Sequence, residues 1–226
     1  MKKMASKNPK KCFFCNKKKF ILKFEYNRPP VGEINFEINP KKYKRKLVSC
    51  VECNHWYACH KINLKNLYSG TYNKMIYKNK LKEKFLKIIS LPKKKSDNYF
   101  RVKRIIEFKN FNFRKEKNLN LLDIGSGLGV FPYKIKKNGI NCTSVDPDIN
   151  SVKHIQKNLK INAIHGNYNY LNFNKKFNIV TLNKVLEHVS NPVKMLKKVK
   201  KNLKNLNIVY IEVPDAEKAS KIGKKK

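Results

Sequence analysis

Arginine is nearly missing from this chain. Five arginines (Arg28, Arg45, Arg101, Arg104 and Arg114) stand among 53 basic residues, against 15 acids, for a formal net charge of +38 over 226 residues. Surfaces dedicated to nucleic acid lean on arginine, because its planar fork meets phosphate and guanine through two bonds at once. Here the lysines run along the whole chain, and asparagine, isoleucine, tyrosine and phenylalanine, which also have AT-rich codons, are abundant. The charge therefore reads first as compositional bias. A nucleic-acid partner is not favoured, although weak, salt-sensitive binding to polyanions should follow.

Long apolar runs are also lacking. No stretch approaches the roughly eighteen residues of a membrane span. The basic start, Met1 to Lys11, leads into a cysteine pair instead of an apolar segment, so no signal peptide is read and a cytoplasmic location is expected. What remains is ample for a core, at 41% hydrophobic and 11% aromatic residues, and the length suits one full domain plus a small one.

The most informative stretch is Asn120 to Val130, NLLDIGSGLGV. A short apolar run (Leu121, Leu122, Ile124) enters three alternate glycines, Gly125, Gly127 and Gly129, and a helical pattern follows them. That order predicts a buried strand, a tight turn and a helix start. A turn of this kind lets a ligand lie against bare main chain, with the helix's unpaired N–H groups facing it. About seventeen residues past Gly129 a second apolar run ends in Asp146, where a doubly wound fold puts a carboxylate on a ribose. Dinucleotide sites prefer G-x-G-x-x-G, and their last glycine would fall on Val130.

The D-x-G-x-G-x-G spacing instead resembles motif I of the class I S-adenosylmethionine-dependent methyltransferases, and the likeness runs from about Asn118 to Val213. The resemblance implies that the loop curls around the methionine and ribose of S-adenosyl-L-methionine, with Asp123, Gly125, Gly127, Gly129 and Asp146 as the cofactor residues. It further implies an adenine contact at Asn167, where the family often has an acid. The segment Asn183-Lys184-Val185-Leu186-Glu187-His188-Val189 resembles the family's loop after the fourth strand. Asn183 is then a further cofactor residue, and Glu187 and His188 are the acid–base candidates facing the methyl group.

The alternation of strand and helix predicts an α/β fold, a Rossmann-like, doubly wound and mostly parallel sheet of five strands. Its strands are expected near Asn120–Ile124, Asn141–Asp146, Ile161–Ile164, Phe177–Leu182 and Asn207–Val213. The last helix is expected to begin near Ser190-Asn191-Pro192, with Val193, Leu196, Val199 and Leu203 along one side. Ahead of the sheet, one helix should stop at Pro92 and another start at Ser96 or Asp97, its apolar side made by Tyr99, Val102, Ile105 and Ile106. The family places such helices over the cofactor, which makes Tyr72, Tyr99 and Arg101 candidate substrate contacts. Thirteen residues follow Val213, fewer than the family's two further strands need. The expectation is a C-terminally shortened domain with its fifth strand left as an edge open to a partner or to self-association.

At the other end, Cys12-x-x-Cys15 and Cys50-x-x-Cys53 are two knuckles separated by thirty-four residues. Two such pairs make the sulfur cage that structural Zn²⁺ favours. Disulfides are disfavoured without export signals, and a thioredoxin-like use would want one motif beside a βαβ unit. Phe20–Phe24 and Ile34–Ile38 read as strands around the turn Arg28-Pro29-Pro30-Val31-Gly32, giving a zinc-ribbon-like module. Cys59 and His60 read as packing or surface residues, and Cys142 as core. The arrangement resembles a bacterial methyltransferase group with a cysteine-knuckle region, some of whose members act on sugar nucleotides or surface-polysaccharide precursors.

The organisation expected is a zinc-ribbon-like module over residues 1–66, a helical connector over 67–117 and a cofactor domain over 118–226. The function expected is methyl transfer to a small molecule, with two alternatives. One is an RNA methyltransferase holding RNA through the module and the lysines, and the other is a non-catalytic cofactor-binding or scaffold protein.

Overall fold

In the computed structural model of the protein, the described residues are 9–29, 43–60, 80–116 and 118–218. The chain divides into two units, residues 1–64 with 215–226, and residues 65–214. The predicted strand Ile34–Ile38, most of its turn, Tyr72 and Ile76 lie outside the described residues.

The first unit carries a three-stranded antiparallel sheet, ordered β1 (Phe20–Tyr26), β2 (Arg45–Cys50) and β3 (Trp56–His60). Strand β1 pairs with β2, Phe20 opposite Cys50 and Tyr26 opposite Arg45, with an irregularity at Lys23. The second knuckle is the turn between β2 and β3, so pairing Val48 with Tyr57 and Ser49 with Trp56 closes it.

The second unit is a five-stranded sheet in the order β6-β5-β4-β7-β8. Its strands are β4 (Asn120–Ile124), β5 (Asn141–Asp146), β6 (Asn162–His165), β7 (Phe177–Asn183) and β8 (Leu203–Glu212). All four pairings are parallel. Helices α1 (Leu81–Ile89) and α2 (Asp97–Asn112) precede the sheet, and α3 (Val130–Lys137), α4 (Ile149–Leu159) and α5 (Pro192–Lys201) link its strands. Their starts are chemically marked. Ser96 Oγ accepts from Tyr99 N–H at 3.3 Å, Asp148 Oδ2 from Ser151 N–H at 2.8 Å, and Asn191 Oδ1 from Lys194 N–H at 2.9 Å with Pro192 in the first turn.

Alternation along the strands feeds separate core clusters. Leu121 and Ile179 join Val102 and Ile105 of α2 and Phe131 and Ile135 of α3. Leu122, Ile124, Val180 and Leu182 join Met195 and Val199 of α5. Side chains on both faces of the sheet are thus covered, as a parallel sheet requires.

One reading needs correction. Leu203, expected on the last helix, is the first residue of β8 and pairs with Phe177. The helix gives out at Lys201, and between Phe177 and Ile179 the partner strand advances from Leu203 to Ile208, a wide irregularity. Asn207 closes it, its Nδ2 donating to the carbonyls of Lys204 and Asn205 at 2.8 and 3.0 Å. Among the described residues β8 is one edge of the sheet and β6 the other. No helix of the described residues is long and apolar enough to cross a membrane.

Candidate cofactor cleft and cysteine centre

Strand β4 delivers Asp123 and then the glycine loop to the carboxyl end of the sheet. The loop is tied to β5, with Gly125 N–H donating to the Val145 carbonyl at 2.8 Å and Gly129 N–H to that of Ser126 at 2.9 Å. Its glycines are needed for different reasons. A Cβ on Gly129 would lie 2.7 Å from Ile155 and Leu159, inside the core, whereas one on Gly127 would meet nothing within 4 Å. Gly127, at φ +51°, leaves open space over the main chain.

Asp146, closing β5, faces that loop. Its Oδ2 accepts from Gly127 N–H and its Oδ1 from Asp148 N–H, both at 2.8 Å. Burial pushes its pKa up to about 6, against the pull of those two amides, and Asp148 adds to the rise. Asp123 is buried beneath the loop. Burial likewise raises it to about 6, opposed by donors from Thr181, Ser126 and Asn183. Thr181 Oγ1 donates to Asp123 Oδ1 at 2.7 Å and Asn183 Nδ2 donates to the same oxygen at 3.2 Å.

Asp123, Gly127 and Asn183 line a cleft of about 210 Å³ with Ile88, Asn98, Arg101, Gly125, Ser126, Leu128, Val130 and Phe131, and Asp146 is joined to it through the Gly127 N–H. Asn183 Oδ1 is buried with no hydrogen-bond partner. An open glycine, a buried carboxylate pair and an orphaned amide oxygen fit a polar, nucleoside-bearing ligand.

Of the cofactor residues expected from sequence, Asp123, Gly125, Gly127 and Asn183 line the cleft, Asp146 is bonded to it through Gly127 N–H, and Gly129 packs on Ile155 and Leu159 behind it. Asn167 does not line the cleft. Its Oδ1 accepts from Asn169 N–H at 3.0 Å and caps the one-turn helix Tyr168–Tyr170. Glu187 and His188 lie on the one-turn helix Leu186–His188, both exposed and outside the cleft lining. Arg101 lines the cleft, whereas Tyr99 lines a separate hollow of about 300 Å³ with Val102, Lys103, Ile106 and Lys134. Sequence reading missed Thr181, Asn98 and Glu212. Thr181 had a signal, a hydroxyl within the apolar run of β7, and register pairs it with Asp123.

In the first unit, the Sγ atoms of Cys12, Cys15, Cys50 and Cys53 all lie within 4.8 Å of one another. Cys12 is 3.5 Å from Cys53, and Cys15 is 3.5 Å from Cys50. A tetrahedral Zn²⁺ with bonds near 2.3 Å needs sulfurs about 3.8 Å apart, so the donor set fits. The knuckles match each other. Each is followed by an asparagine at positive φ, Asn16 (60°) and Asn54 (54°), whose N–H returns to the carbonyl of the first cysteine at 3.0 Å. Asparagine tolerates that region better than other side chains. The Tyr57 hydroxyl accepts from Phe13 N–H at 2.9 Å and donates to Cys12 Sγ at 3.1 Å. Cys59, buried on β3, stands outside the cluster.

The methyltransferase-domain family matches residues 98–224. The ubiquinone biosynthesis O-methyltransferase of Rickettsia prowazekii (strain Madrid E) is 29% identical over 126 residues, covering 54% of this chain and 50% of the relative. Its counterpart in Rickettsia typhi (strain ATCC VR-144 / Wilmington) is 28% identical over 119 residues, covering 50% and 48%. The chain thus spans about half the length of the curated relatives it matches. Among solved structures, the plantazolicin methyltransferase BpumL in complex with SAH is 19% identical over 66% of this chain and 59% of that chain, with a TM-score of 0.48. A methyltransferase from Clostridium acetobutylicum ATCC 824 is 18% identical over 71% and 61%, at 0.49.

Proposed function

This chain belongs to the methyltransferase-domain family, and on that premise we propose that it transfers a methyl group from S-adenosyl-L-methionine to a small molecule. The observation that carries the reading is the Gly127 main chain, open on one side and bonded to the Asp146 carboxylate at 2.8 Å.

When bound, the cofactor supplies a methyl group already activated by a sulfonium. The protein's part is placement. Asp146 would hold the ribose hydroxyls, the Gly125–Gly129 loop would admit the ligand against bare backbone, and Arg101 would meet the methionine carboxylate. The unpaired Oδ1 of Asn183 is left for a donor on the ligand. His188 would take the proton of an acceptor hydroxyl, with Glu187 the alternative base, and the one-turn helix that carries them begins three residues past the cleft residue Asn183.

The acceptor class has two supports. The Rickettsia relatives are named for ubiquinone biosynthesis, and the cysteine-knuckle likeness points to a nucleotide-linked sugar. Methyl-labelled cofactor offered to pools of each class separates them. Calorimetry with S-adenosylhomocysteine tests the cofactor itself, and a folded chain that does not bind it refutes the reading.

The four cysteines hold one structural Zn²⁺, a reading supported by their spacing and matching turns. The backbone of β8 is where a partner strand would pair, and light scattering over a concentration series reads such self-association. RNA as the acceptor would instead require structure-selective binding that survives physiological salt.

A further inference from the structure

Arg101 is a guanidinium in an unusual setting. Its side chain is 10% exposed on α2, and it lines the cleft with Asn98. Its partner is Glu212, the last residue of β8, with a side chain 23% exposed. Arg101 Nε donates to Glu212 Oε2 at 2.7 Å and Nη2 donates to Oε1, a side-on pair. Arg101 holds the Glu212 carboxyl below the usual carboxylate range.

The surroundings brace Glu212, and only longer contacts from Asp97 and Asn98 also reach Arg101. Tyr210 donates its hydroxyl hydrogen to Glu212 Oε2 at 3.3 Å while accepting from Arg104 Nη1 at 2.9 Å. Lys184 Nζ sits 3.9 Å from Glu212 Oε1 and 3.5 Å from Asp97 Oδ2. Asp97 lies 3.9 Å from Arg101 Nη2. A guanidinium has five donors in a rigid plane, so when one edge is committed the other is aimed. The remaining edge here carries Nη1, which makes a long 3.4 Å bond to Asn98 Oδ1.

We infer that Glu212 is a positioning residue, which by gripping Nε and Nη2 turns the Nη1 edge of Arg101 into the cleft to select ligands that carry a carboxylate. This rests on the cofactor reading above and adds to it the element that sets affinity for the amino-acid end. It gives the residue closing the edge strand a part in ligand choice.

The test compares two ligands that share adenosine and a thioether. S-adenosylhomocysteine has the amino-acid carboxylate, and 5′-methylthioadenosine lacks it. Calorimetry on the full chain should show Glu212→Gln weakening S-adenosylhomocysteine about tenfold, with 5′-methylthioadenosine unchanged within twofold. Arg101→Lys keeps a charge for Glu212 but has no second edge, and it should show the same selective loss. It serves as the readout should Glu212→Gln fail to fold. Equal losses for both ligands, or no loss for either, overturn the positioning role while leaving the cofactor reading intact. A wild-type chain that binds neither ligand overturns the cofactor reading and this inference with it.

Discussion

Gly127 and Gly129 share a left-handed backbone and stand two residues apart, yet adding one methyl group to each should produce opposite results. At Gly129, φ is +72° and the new Cβ would press to 2.7 Å from Ile155 and Leu159. The conformation costs an L-residue about 1–2 kcal/mol and overpacking a filled core about 1–3 kcal/mol more. Gly129→Ala should therefore lose about 3 kcal/mol of stability. At Gly127 the conformational penalty is similar, but the Cβ meets nothing within 4 Å. Reduced freedom of the unfolded chain returns about 0.4–1 kcal/mol, so Gly127→Ala should cost about 1 kcal/mol or less. Its methyl would instead fill the space above the main chain where the ligand is placed. Urea denaturation gives the two stabilities and calorimetry with S-adenosylhomocysteine gives the affinities. The expected pattern is a folded, stable Gly127→Ala chain with binding reduced at least tenfold. If Gly127→Ala binds like the parent, the ligand does not lie against this loop. If Gly129→Ala is as stable as the parent, the packing under the helix is wrong.

Protonation should switch the cleft. Ribose hydroxyls would donate to an ionised Asp146, whose pKa is raised to about 6, so affinity for S-adenosylhomocysteine should be flat above that pH and fall up to about tenfold per unit below it. Calorimetry from pH 5 to 8 reads this, and Asp146→Asn should bind weakly with the slope gone. Thr181→Val removes a donor from buried Asp123 and should cost about 1–3 kcal/mol at pH 7. Because the folded pKa of Asp123 is raised to about 6, the loss should shrink at pH 5, where the carboxyl is protonated, and an equal loss at both values refutes the assignment. Elemental analysis should find about one zinc per chain, with Cys50→Ser releasing it, and a metal-free sample with the first unit folded would end the zinc reading.

The parts of this fold legible in sequence are those set by local chemistry. The run Leu121 to Ile124, the alternate glycines and the acid closing β5 each declare themselves within a few residues, and the structure joins them through the bond from Gly127 to Asp146. Contacts between distant segments were not legible. The mate of β1 among the described residues is Arg45–Cys50, about twenty residues on, because the second knuckle must come beside the first to close the sulfur cluster. Asn167 shows a local effect winning. An amide one residue before a turn caps its backbone in preference to reaching for a ligand. Leu203 continued a helical apolar row on paper, but the irregularity closed by Asn207 lets β8 begin early.

The register of β7 with β8 explains why an edge strand should matter to the cleft at all. Asn183 and Glu212 are opposed in the last pair of that ladder, and Lys184 N–H closes it on the Glu212 carbonyl at 2.9 Å. One member of the pair holds Asp123, on the strand that leads into the glycine loop, and the other holds Arg101, on the helix that makes the opposite lining. Side chains along a strand alternate in direction, so a slip of one residue would present Ile211 or Val213 to Arg101 and leave a buried cation unpaired. The apolar flank of β8, where Val209 and Ile211 are 38% and 42% exposed, does not fix that register. It is fixed by Ile208 and Tyr210 packing into the cluster beneath α2. The helix that contributes Arg101 therefore also sets the strand that contributes its partner, and the pair forms as a consequence of core packing.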